Sequence, residues 1–166
     1  RTRVLLHLVD VMPEDGGDPI DNALAIETEL AEYSESLTER PIWLALSKVD
    51  QLEQEALDQL LEDFAEMFPD RPIYAISALG DIGLEDLVRD LMAFLTEEYL
   101  LARENENHAE QLEELEARIT ADVWAHSERM RARRAGEADE SVDDDHDDWD
   151  ADDEDGEATE VIYVRE

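Results

Sequence analysis

Apolar residues along this chain fall into short unbroken runs that alternate with one-sided stripes. Val4-Leu5-Leu6-His7-Leu8-Val9 is an almost continuous apolar run, the pattern of a buried parallel strand. A polar turn follows at Asp15-Gly16-Gly17, and then Asp18-Pro19, where Asp suits the N-cap and Pro the first helical position. Ile20, Ala23, Leu24, Ile26, Leu30, Tyr33 and Leu37 recur mostly at three- and four-residue intervals, which predicts a helix with one apolar face, ended by Arg40-Pro41. The alternation repeats. Ile42-Trp43-Leu44-Ala45-Leu46 predicts a second strand, and Leu57, Leu60, Leu61, Phe64 and Met67 a second helix. Pro69 and Pro72 lead into Ile73-Tyr74-Ala75-Ile76, and Gly83 precedes a third stripe of Leu84, Leu87, Val88, Leu91 and Leu95.

The order β-α-β-α-β-α predicts an α/β fold, a partial doubly wound parallel sheet with right-handed crossovers. In such sheets ligands sit beyond the carboxyl ends of the strands, so Asp10 to Asp18, Ser47 to Gln51 and Ser77 to Gly83 are expected on one rim. A helical extension is predicted over 99–135. Its narrow stripe is Leu112, Leu115, Ile119 and Val123, and its basic end is Arg129, Arg131, Arg133 and Arg134, which suits a helix carboxyl terminus. That stripe predicts weak packing on the sheet units or pairing with a partner helix.

Length, 166 residues, gives one domain with an appendage. The formal charge of −35 disfavours direct binding to a nucleic-acid backbone. The chain has no cysteine, which excludes a disulfide framework and fits a reducing compartment. No apolar run reaches the roughly 18 to 20 residues of a membrane span, and a soluble, cytoplasmic, monomeric protein is expected. The charge is uneven, because residues 137–166 hold sixteen acidic residues and a single base, Arg165. Ordering a backbone residue costs about 1 to 2 kcal/mol, which such a composition cannot offset, so 136–166 is expected to be an acidic, solvated, low-complexity tail. Concentration of the acids there argues against a salt-adapted surface.

Candidate chemistry concentrates at two strand ends. Ser47-Lys48-Val49-Asp50 follows the second strand and enters a helix within a few residues. Guanine offers two donors on its Watson–Crick edge, N1–H and the 2-amino group, and one carboxylate accepts both; adenine lacks that arrangement. A Lys stem two residues earlier covers the base face while its ammonium stays hydrated. The bland reading of such an Asp is a helix cap. At the third strand end stands Ser77-Ala78-Leu79-Gly80, where a small residue lets a backbone N–H approach a ligand; the bland reading is an ordinary turn. His7 reads as a hydrogen-bonded core imidazole, His108, His126 and His146 lack metal-ligand partners at helical spacing, and an Asp10–Asp50 metal pair is disfavoured.

The order strand, Asp18-Pro19 helix, strand, Ser47-Lys48-Val49-Asp50, helix, strand, Ser77-Ala78-Leu79, helix resembles the carboxyl half of a P-loop GTPase domain. Within that class, residues 1–98 are similar to the Obg (CgtA) family of bacterial ribosome-associated GTPases, many of which also carry an acidic tail. The resemblance implies that Ser47, Lys48, Val49 and Asp50 form the guanine-recognition motif, with Asp50 pairing the base and Lys48 lying over purine and ribose. It implies that Ser77, Ala78 and Leu79 form the second base-contacting loop, the Ala78 amide meeting guanine O6. Ser47 stands where the family usually has Asn, and a shorter hydroxyl makes only part of the Asn hydrogen-bond set.

No G-x-x-x-x-G-K-[ST] phosphate cradle and no switch motif occurs in these 166 residues. The apolar run within the first ten residues, with no Met before it, fits a fragment beginning after the second switch. The resemblance implies a parent that binds GTP and GDP with Mg²⁺, hydrolyses GTP slowly and acts in large ribosomal subunit assembly, with the metal and catalytic residues upstream. This chain alone is expected to be inactive. The tail would compete with rRNA for basic ribosomal proteins or cover a basic surface of its own protein. The rival reading is a non-enzymatic module that displays the late helix and acidic tail to a basic protein.

Overall fold

The structure, a computed structural model, describes residues 2–140. Three strands, β1 (Leu5–Asp10), β2 (Ile42–Ser47) and β3 (Ile73–Ala75), form one parallel sheet in the order β1-β2-β3. The helices are α1 (Pro19–Tyr33), α2 (Gln54–Met67), α3 (Leu84–Glu104) and α4 (Glu106–Glu140), with short 3₁₀ turns at Glu35–Glu39 and Val49–Gln51. The α/β class and the β-α-β-α-β-α order stand as read from the sequence.

The sheet is covered on both faces, and β2 shows why its run is apolar throughout. Leu44 and Leu46 point into a cluster with Val9, Ala23, Val49, Phe64 and Phe68, built by α1 and α2. Trp43 and Ala45 point the other way, with Ile76 and Leu87, against Leu84, Leu91 and Phe94 of α3. Tyr74 stacks on Trp43 at 5.5 Å between centroids and donates its hydroxyl proton to Asp90 (3.1 Å). A side chain has water on neither face of β2, as expected of a central parallel strand.

β1 departs from the expected fully buried strand. Leu5, His7 and Val9 share the α1/α2 face with Leu44 and Leu46, but Leu6 and Leu8 lie on the α3 face and are 39% and 61% exposed. The reason is reach: α3 seats on β2 and β3, and that side of β1 is left only partly covered. Leu5 N–H donates to the Pro41 carbonyl and Val11 N–H to the Ser47 carbonyl, so the odd residues of β1 bond β2 and the even ones turn their N–H and C=O outward. β1 is an edge strand here. His7 is half-buried and its imidazole is pushed down, first by burial and then by Arg71; no hydrogen bond engages its ring among the described residues, against the hydrogen-bonded imidazole expected.

Two helix boundaries also differ from the reading. α1 stops at Tyr33 rather than running to Leu37, because Ser34 is extended (φ −159°) and its hydroxyl oxygen accepts from Leu37 N–H, starting the 3₁₀ turn. The Ser34 hydroxyl in turn donates to Asp122 of α4 (3.0 Å), as does the Ser36 backbone N–H (3.0 Å). At the other boundary, α3 continues to Glu104, since Leu100-Leu101-Ala102 are good helix formers, and the break falls at Asn105, whose side-chain oxygen accepts from His108 N–H. The helical extension predicted from residue 99 therefore starts as α4 at Glu106.

α4 meets its own chain through Asp122, the Arg118–Glu39 ion pair and a 5.0 Å contact between the His126 and Tyr33 rings, while Leu112, Leu115, Ile119 and Val123 of its stripe are only half-buried. The Ser36 N–H and the two serine hydroxyls hold the Asp122 carboxyl below the usual carboxylate range. A carboxyl lowered on folding stabilises above its unfolded pKa, about 3.9, and the contribution disappears as pH falls through the lower native value. Asp122→Ala is accordingly expected to lower Tm at pH 7 and to match the wild-type chain under strongly acidic conditions, as read by thermal melts at both pH values.

The chain divides into Arg1–Met130, which holds the sheet and its helices, and Arg131–Glu166, whose described part is the helical carboxyl end of α4. That helix includes 136–140, the first residues of the predicted tail; the remainder of the tail prediction, 141–166, lies outside the described residues. Among the described residues no helix is long and apolar enough to cross a membrane.

Candidate functional site

Because the three strands are parallel, the loops after β1, β2 and β3 leave the sheet at one rim, as expected. Asp10 and Ser47, the last residues of β1 and β2, are partners in register. The loop after β2 is fixed from below. Ser47 Oγ donates to the Val9 carbonyl (3.0 Å), tying β2 to β1, and buried Val49 donates its N–H to the Ile76 carbonyl (3.3 Å), tying the loop to the end of β3. The Ser47 hydroxyl is thus spent on bracing the strand ends, one part of what a longer amide would do.

Lys48 carries the sharp change of direction. Its backbone is left-handed (φ +66°, ψ +28°), costly for a residue with a Cβ, and its exposed side chain reaches back so that Nζ lies 2.6 Å from Asp10 Oδ2. The hydrogen bond with Asp10 raises the Lys48 pKa, and the same bond, helped by the Met12 N–H, lowers that of Asp10. Asp50 follows in the 3₁₀ turn Val49–Gln51. Its carboxylate is exposed, and no hydrogen bond or ion pair engages it among the described residues. It caps no helix: the N-cap of α2 is Glu53, which makes no side-chain capping bond.

The loop after β3 is held by Ser77, which is 1% exposed. Ser77 and Ile82 exchange backbone hydrogen bonds at 3.0 Å in both directions, and Ser77 Oγ accepts from Gly80 N–H at 2.8 Å. That places Ser77 as a brace inside the loop, with its hydroxyl turned away from solvent. Ala78 and Leu79 are left at the surface, Leu79 being 90% exposed, and the Ala78 N–H has no partner among the described residues. Gly83 closes the loop at φ +69° and opens α3.

The rim therefore presents a free carboxylate at Asp50 and a free amide N–H at Ala78 on two loops joined through Val49 and Ile76. A carboxylate takes two donors and an amide N–H takes one acceptor, the complement of a ring bearing adjacent donors beside a carbonyl. No protein-family model matches the chain. The clefts of about 520 and 570 Å³ lie elsewhere, the first between the 3₁₀ turn before β2 and α4, lined by Leu37, Arg40, Glu116 and Thr120, the second along α3. Among the described residues no group of three His, Cys, Asp or Glu side chains is gathered closely enough to hold a metal ion.

Asp10 was placed on this rim by the sequence pattern and weighed as a metal partner of Asp50; its ion pair with Lys48 was not foreseen. The available signal was positional: if β1 and β2 pair in parallel and both end at the rim, Asp10 stands beside the motif that begins at Ser47.

Proposed function

We propose that this chain is the guanine-recognition half of an Obg-like GTP-binding domain, a doubly wound P-loop fold of which β1 to β3 form one side. The observation that supports the proposal is an unengaged Asp50 carboxylate and an unengaged Ala78 N–H on two strand-end loops linked by the Val49–Ile76 hydrogen bond. Asp50 accepts guanine N1–H and the 2-amino group, the Ala78 N–H donates to O6, and the Lys48 stem lies against the ring. Leaving a buried donor or acceptor unpaired costs on the order of 1 to 3 kcal/mol, which is the source of discrimination against adenine.

The uncovered edge of β1 supports the same reading. Its outward N–H and C=O groups and the exposed Leu6 and Leu8 are what a strand leaves when a further strand and a covering helix belong beside it. Phosphate and Mg²⁺ binding, slow GTP hydrolysis and a role in large ribosomal subunit assembly belong in this proposal to the whole protein, with the phosphate-binding half supplied by sequence outside these 166 residues.

Contacts limited to the base have a measurable consequence. Purified residues 1–166 are expected to bind GMP, GDP and GTP weakly and with nearly equal Kd, to prefer each over its adenine counterpart, and to give no GTP turnover above background. Ligand-observed NMR titration and a phosphate-release assay read these outcomes. Measurable turnover, a strong gain in affinity from GMP to GTP, or equal binding of AMP contradicts the proposal.

A further inference from the structure

We propose that Asp10 is a positioning residue for purine binding, which fixes the Lys48 side chain in its base-covering orientation before the ligand arrives. The inference rests on the guanine reading of the rim and adds to it a residue outside both loops of that reading. The geometry begins with the register: β1 and β2 end together, so Asp10 stands beside Ser47 and one residue from Lys48. Both carboxylate oxygens are committed. Oδ1 accepts from Met12 N–H at 2.9 Å, which fixes the side chain against its own backbone, and Oδ2 holds Lys48 Nζ at 2.6 Å.

The exposure of the pair separates a positioning role from a stabilising one. The two side chains are 35% and 45% exposed, where ion pairs contribute little to folding because water and salt screen them. Orientation is another matter. A lysine has four rotatable bonds, and an unrestrained one samples many rotamers that leave the base face uncovered. The left-handed backbone at Lys48 turns the stem back toward β1, and Asp10 holds its far end. The stem is then held at the rim by its far end, two residues before Asp50 in the chain, and a purine meets an already ordered side chain. Ordering one rotamer-rich side chain in advance is worth about three- to tenfold in affinity.

Titration of the 166-residue chain with GMP, followed by amide and lysine-ammonium NMR signals, tests this. Asp10→Asn keeps an acceptor for Met12 N–H and removes the charge facing Lys48. It is expected to leave the amide spectrum of the fold intact, to abolish the protected Lys48 ammonium signal and to weaken GMP binding about three- to tenfold. In a Lys48→Met background, which keeps an apolar stem and lacks the ammonium, the same substitution is expected to change GMP affinity no further. Unchanged affinity for Asp10→Asn, or the same loss in both backgrounds, overturns the positioning role while leaving the guanine reading in place. A wild-type chain that binds AMP as well as GMP removes both.

Discussion

Asp50→Asn is expected to exchange guanine for xanthine as the preferred base while leaving the fold unchanged. Guanine presents two adjacent donors, and a carboxylate meets both; a carboxamide has one acceptor and one donor, so its NH₂ faces the 2-amino group with no acceptor between them. Xanthine carries a carbonyl at that position and keeps N1–H, so the carboxamide satisfies both. One lost bond and one opposed donor pair cost GMP about 2 kcal/mol or more, roughly thirtyfold in affinity. XMP is expected to gain where GMP loses. Because the Asp50 side chain is exposed and unengaged, Tm should not move, and that constancy separates a change in recognition from a damaged fold. Parallel titrations of both proteins with GMP and XMP, with a thermal melt, measure all three quantities.

The largest expected loss of stability is at Gly83. A Cβ there would stand 2.1 Å from the Ala75 carbonyl oxygen, a backbone atom of β3, and φ is +69°, so a side chain meets both a steric and a conformational penalty. No flexible side chain is available to give way. Gly83→Ala must move either the end of β3 or the start of α3, at a cost of about 2 to 4 kcal/mol. Gly16 provides the control, since its φ is +71° but nothing lies within 4 Å of its Cβ position. Gly16→Ala should therefore cost only the conformational share, about 1 kcal/mol. Urea denaturation of the two variants separates them. Similar midpoints would show that contact with Ala75 plays no part.

The sheet and its covering helices were legible because their signals are local: β2 is apolar on both faces, and each stripe sets a buried residue on the sheet, Ala23 in α1, Phe64 in α2 and Leu87 in α3, although Ile26, Tyr33, Met67 and Val88 of those stripes stay exposed. What escaped depended on partners distant in sequence. The run at Val4–Val9 looks the same whether one face or two are covered, and only the placement of α3 leaves Leu6 and Leu8 exposed. The end of α1 at Tyr33 is tied to Asp122, 88 residues beyond Ser34, which no periodicity near Ser34 encodes. Apolar spacing alone carried the prediction to Leu37.

At the rim the same division holds. The residue types at Ser47–Asp50 and Ser77–Leu79, and their position after strands, were readable, and the structure brings the two loops together through the Val49–Ile76 hydrogen bond. Their division of labour was not readable. Ser47 and Ser77 spend their hydroxyls on bracing, while Asp50 and Ala78 keep polar groups unengaged. The ion pair between Asp10 and Lys48 requires the strand register before it can be seen.

Amide-resolved NMR titration of the wild-type chain with GMP, and in parallel with AMP, is the most direct measurement of purine recognition at this rim. Shifts confined to Lys48–Gln51 and Ala78–Gly80, produced by GMP and absent with AMP, are the predicted result. Shifts of equal size with both nucleotides, or shifts mapping to the cleft between Arg40 and α4 while the two loops stay still, would contradict it.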